Sequence, residues 1–148
     1  MSKLSYLSIP LIFLSTIACD NEIKSGQVPS IVENTFKSHF PDALDMEWET
    51  LNDDYQVSFE IENVDHDALL DSSGKLLKYK YEIDGTTMPK NIKSSLEQKY
   101  PQEKWDDPEH IMDGNSEYFQ LELDGFFKNQ KMVVDSMGKA MPNIKYWD

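Results

Sequence analysis

A chain of 148 residues has room for one compact domain, or for two very small units sharing a core. It carries 27 Asp plus Glu against 14 Lys and no Arg, for a formal net charge of −13. So acidic a chain repels phosphate backbones, and without Arg it lacks the planar fork that grips phosphate, so nucleic acid and nucleotides are poor candidate partners.

The first nineteen residues read as an export signal. Lys3 is their only charge, an apolar run from Leu4 to Ile17 follows, and the segment closes on Thr16-Ile17-Ala18-Cys19. Pro10 and several hydroxyls interrupt the run, which falls short of the ~20 apolar residues a membrane span needs. Ala18-Cys19 resembles the lipobox of bacterial lipoproteins, with Thr16 where a Leu is usual. That resemblance implies a lipid on Cys19 and a location in the cell envelope, facing the periplasm or the surface. No other Cys is present, so no disulfide competes for this thiol. Removing Lys3 with the leader leaves 13 Lys against 27 acids and a charge of −14. Residues 20–27 are poor in apolar groups and are expected to form a tether.

From residue 28 the chain repeats itself. Val28-Pro29 returns as Met88-Pro89, and Val32, Phe36, Phe40 and Pro41 return sixty residues later as Ile92, Leu96, Tyr100 and Pro101. Each copy then has a Trp, Trp48 and Trp105, and a turn, Asp71-Ser72-Ser73-Gly74 and Asp135-Ser136-Met137-Gly138. Apolar residues every fourth position predict a helix of about a dozen residues, opened by Pro29 and stopped by Pro41. Alternation at Tyr55-Val57-Phe59-Ile61, at Leu77-Tyr79-Tyr81-Ile83 and at Phe119-Leu121-Leu123 predicts strands of a sheet with one wet face. Short strands are expected around Trp48 and Trp105, and Asp124-Gly125 signals a two-residue hairpin. The expected fold class is α+β: a tandem duplication of a helix plus a three-to-four-stranded antiparallel meander, over residues 28–84 and 85–148.

The cadence Pro-x-x-Val-x-x-x-Phe-x-x-x-Phe-Pro, then Trp, then strands ending in Asp-Ser-Ser-Gly-Lys-Leu-Leu resembles the PepSY-like, β-lactamase-inhibitor-like proteins of the Bacteroidetes. Both copies carry it, so it covers nearly all of residues 28–148. The resemblance implies a two-layer α/β arrangement like that of the β-lactamase inhibitor protein, a periplasmic or secreted location and no enzymatic activity. It carries over no catalytic residue.

The residues themselves support no chemistry. Asp65-His66-Asp67 is expected in a turn between strands, and Asp106, Asp107, Glu109 and His110 form a second polar cluster. Neither recurs in the other copy, so metal ligation is not expected. The Asp71–Gly74 and Asp135–Gly138 turns lack the later ligands of a calcium loop. No Ser sits in a Gly-x-Ser-x-Gly turn. The chain is therefore read as non-catalytic and free of cofactors. Phe126 and Phe127, at a hairpin tip, and Tyr146 and Trp147 are the candidate partner-binding residues. The expected role is a lipid-anchored envelope binding module acting on another envelope or secreted protein, as an inhibitor does. The alternative is an accessory lipoprotein holding a small molecule or polymer between its two repeats.

Overall fold

A computed structural model describes residues 22–101, 104–124 and 129–148. Cys19 and the Phe126–Phe127 tip lie outside these residues.

A short strand, β1 (Glu22–Ile23), and a 3-10 turn (Ser25–Gln27) lead into helix α1 (Ser30–His39). Strands β2 (Leu44–Leu51), β3 (Asp54–Ile61), β4 (Val64–Leu70) and β5 (Leu76–Glu82) follow. Helix α2 (Lys90–Lys99) then precedes β6 (Lys104–Asp113), β7 (Ser116–Asp124) and β8 (Gln130–Val134). All eight strands form one antiparallel sheet in chain order, β1 to β8. The β5–β6 pairing carries the sheet across the boundary between the two halves.

The helices form where the four-residue spacing places them, at ten residues each. Pro29 and Pro89 sit just ahead of the first turn with extended ψ angles of 136° and 131°. Val32 and Phe36 are buried on α1, and Ile92 and Leu96 on α2. Phe36 packs edge-on against Trp48 and Phe59, at centroid distances of 5.3 and 4.9 Å. Val57, Ala68 and Leu70 complete that cluster. The α2 cluster gathers Phe119, Leu121, Leu123, Met132 and Val134. Directly opposed residues run Phe59, His66, Tyr81, His110, Phe119, Val134 across the sheet, so both helices lie on one face.

Several expectations need correcting. Part of the expected tether is built into the sheet: Ile23 pairs with Trp48 and packs on the α1 cluster. The strands at the two Trp residues are long, not short, and each carries a bulge, between Leu44 and Glu47 and between Asp106 and Glu109. Asp45 and Asp107 hold left-handed φ angles of 49° and 45° within them. Trp48 lies after its bulge and Trp105 before, so the two rings are not equivalent. Asp65-His66-Asp67 lies within β4, because Glu62 and Asn63, at φ 55° and 62°, make the whole turn in two residues. The expected Asp124-Gly125 hairpin turn runs into residues outside those described.

The helix-free face is only partly wet. Leu69, Ile111, Tyr118, Val133 and Trp147 form a third apolar cluster there. Residues 141–148 supply its cover, so the last stretch of the chain lies across the sheet.

Candidate functional site

Trp147 is 8% exposed, and every polar group it has is taken. Its indole N–H donates to Gln56 Oε1 at 3.0 Å, and its backbone N–H to Gln120 Oε1 at 3.0 Å. Its carbonyl accepts from Gln120 Nε2 at 2.6 Å and Lys80 Nζ at 3.1 Å. Gln120 thus meets the backbone as a neighbouring strand would, and this satisfies a side chain of zero exposure. Tyr146 lies under Lys131, 4.7 Å from its ring centroid, and burial pushes its phenol pKa upward. These two sequence-picked residues therefore stand on the helix-free face, with Trp147 serving as part of the fold.

Beside Trp147 the same face is acidic. A groove of about 430 Å³ is lined by Asp45, Glu47, Ser58, Glu60, Asp65, Asp67, Glu82 and Glu109, among others. The β2 bulge and the β3–β4 register bring these residues together from positions 45 to 109. Among the described residues Lys80 alone pairs with them: its Nζ lies 2.8 Å from Glu109 and 3.3 Å from Asp67. The Glu82 carboxyl is raised above its ordinary value by burial first, then by the charges of Asp65, Glu109 and Asp107. Leu44, 62% exposed, and Met46, also exposed, stand on either side of Asp45 in β2. Such a surface cannot accept an anion. It suits a basic segment with apolar neighbours.

On the helix side His66 and His110 belong to a row of rings. His66 stacks on Phe59, 5.3 Å between centroids at 19°, and His110 on Phe119, 4.7 Å at 10°. His66 Nδ1 lies 2.9 Å from the Tyr79 hydroxyl, and His110 Nδ1 lies 2.5 Å from that of Tyr81. Burial lowers the pKa of His66 and raises that of Tyr79 to about 12. Among the described residues no three His, Cys, Asp or Glu are grouped to hold a metal ion, and no helix is long and apolar enough to cross a membrane. The sequence missed the groove because its carboxylates are distant along the chain. Glu60 and Asp65, which flank the β3–β4 turn, were its trace.

One antiparallel meander of eight strands with two helices on one face defines a fold shared with BLIP-like proteins. A BLIP-like protein from Bacteroides fragilis superposes with a TM-score of 0.68 at 15% identity, over 76% of this chain and 82% of that one. A protein of Bacteroides eggerthii, named a candidate periplasmic protein, gives 0.72 at 9% identity over 77% and 86%. A DUF2874 family protein of Bacteroides ovatus gives 0.70 at 12% over 76% and 84%. No family model matches the chain, and no curated protein matches it.

Proposed function

We propose that this chain is a lipid-anchored, non-catalytic binding module of the bacterial envelope, which holds a basic segment of another envelope or secreted protein and blocks that partner as an inhibitor does. The acidic groove on the helix-free face carries the reading: seven carboxylates line it, and Lys80 is the cation among them. The likeness to BLIP-like and periplasmic folds and the leader ending at Cys19 support the location. The Phe126–Phe127 tip is the second contact in this reading, since a few large rings usually dominate binding energy. Trp147 keeps the face in shape. The reading also takes the two helix-plus-meander halves as PepSY-like copies of one unit. Their paired bulges at Asp45 and Asp107 and paired turn glycines, Gly74 and Gly138, support that.

The test is photo-crosslinking of the full chain in its own envelope. A chain carrying Glu47→Gln, Glu60→Gln and Asp65→Asn should lose the protein that wild type captures, with melting unchanged, and wild-type capture should weaken with salt. Equal capture by both chains would remove the groove from the proposal. Cys19→Ser should release the protein from the membrane fraction, and mass spectrometry of an unacylated wild-type N-terminus would contradict the anchor.

A further inference from the structure

The helix side holds an opening separate from the groove, a cleft of about 740 Å³ over the middle strands. His66, Tyr81, His110 and Phe119 form its floor, drawn from β4 to β7. The β3–β4 turn (Ile61 to Val64) walls one side, and the approach to α2 (Ile83 to Pro89) walls another. Volume and lining are those of a small-molecule site: mostly apolar and aromatic walls with a few converging polar groups. Phe119 belongs to the α2 cluster and is buried, as is His66, while Tyr81 and His110 are part-exposed between the α1 and α2 clusters.

Charge selects among ligands. Glu62, Glu82, Asp84 and Glu117 border the cleft, and among the described residues no Lys lines it. Asp84 is an anion well into acid, since Thr86 and Thr87 donate to its carboxylate. Glu117 is half exposed, and its closest basic neighbour among the described residues is His110, whose Nε2 lies 2.8 Å from Glu117 Oε1. That contact lacks the alignment of a hydrogen bond, and Nε2 is buried with no other partner. A buried ring nitrogen without a bond carries a desolvation cost that a bound polar group would remove. The carboxylate beside it borders the opening, and among the described residues no lysine pairs with it. Rings below and carboxylates at the rim suit a cation carried on a flat apolar body.

We propose that this cleft is a binding site for a small amphipathic cation, a flat aromatic ring bearing an amine, with the ring over the Tyr81–His110–Phe119 floor and the amine at Glu117. The cleft's Tyr81, His110 and Phe119 and the groove's Asp67, Lys80 and Glu109 lie on opposite faces of the sheet, while His66 and Glu82 border both openings.

Equilibrium dialysis of the full chain in phosphatidylcholine vesicles, corrected with protein-free vesicles, tests it with three indoles of one shape. Tryptamine should bind saturably and at least tenfold more tightly than indole-3-acetate, with uncharged indole-3-ethanol between them. Glu117→Gln should weaken tryptamine about tenfold and leave indole-3-ethanol unchanged. Val64→Arg, at the wall, should exclude tryptamine while circular dichroism and melting stay those of wild type. Absence of saturable tryptamine binding to folded protein, indole-3-acetate binding as tightly as tryptamine, or indifference to Glu117→Gln would each overturn the proposal. None of these results bears on capture of a protein partner by the acidic groove.

Discussion

Asp84 shows how one carboxylate organises the segment that leads into α2. It accepts from the backbone N–H of Thr86 and of Thr87, both at 2.7 Å, and from the Thr86 hydroxyl at 2.7 Å. The Thr86 side-chain bond, followed by the backbone bonds, holds its pKa down to about 2. Because the folded value lies below the ordinary 3.8, the stability it contributes is complete above pH 3.8. It is lost as the pH falls from there through about 2. Asp84→Asn should therefore melt lower than wild type at pH 7, with the gap closing below pH 3. A gap that persists undiminished at pH 2 would show that charge is not the cause. Trp147 is the matching case in the core. Trp147→Ala removes a buried indole and leaves Gln56 Oε1 without its donor, so denaturant titration should show a loss of about 3–5 kcal/mol. A loss near zero would mean that the last residues do not hold the helix-free face in solution.

At the scale of elements, the two Asp-x-x-Gly turns act as clamps on the helices. Gly138 has φ +70°, and a Cβ there would lie 2.7 Å from Ser95 Cβ. Its carbonyl accepts from Ser95 Oγ and Lys99 Nζ on α2, both at 3.0 Å. Gly74, φ +86°, comes as close to α1, with a Cβ position 2.9 Å from the Ile31 carbonyl. Gly114 shares the left-handed backbone, at +60°, but faces open space. Gly114→Ala should cost about 1 kcal/mol, the backbone effect alone. Gly138→Ala should cost a further ~1–3 kcal/mol, because the methyl forces α2 off the turn. Equal melting temperatures for the two variants would contradict the clamp. The glycines were legible in the sequence as turn residues. Their closeness to the helices was not, since nothing in Asp-Ser-Met-Gly says what lies above it.

For the whole molecule, the question is whether two halves with separate helix-side cores unfold together. Phe36 and Leu96 stand at matching places in the α1 and α2 clusters, and both are almost wholly buried. Each change to Ala should cost about 2–5 kcal/mol. The β5–β6 pairs couple the halves, and so does the apolar cluster beneath, where Leu69 of β4 meets Ile111, Tyr118 and Trp147. One calorimetric transition is expected, with calorimetric and van't Hoff enthalpies equal, and it should stay single in Phe36→Ala. Two resolved transitions, with Phe36→Ala moving only one, would show the halves to be independent.

Local periodicity is a property of the chain alone, so the sequence determined what depends on it. The four-residue spacing from Val28 to Phe40, the alternation from Tyr55 to Ile61 and the turn chemistry of Asp71–Gly74 specified the helices, strands and hairpins without reference to neighbours. Charge and the lack of Arg likewise made nucleic acid and nucleotides poor candidate partners. What depends on register could not be read in advance. Gln120 alternates as a wet-face residue, yet pairing with Glu109 and Val133 sets it beneath Trp147 with no exposure. Asp45 and Glu109 are sixty-four residues apart and meet only because the strands line up. Tertiary structure alone decided that the last residues cover part of the helix-free face, that an acidic groove remains beside them, and that a cleft opens on the helix side between the β3–β4 turn and the approach to α2. Each is made by side chains that share a surface without sharing a stretch of sequence, and only the pairing of strands determines which side chains those are.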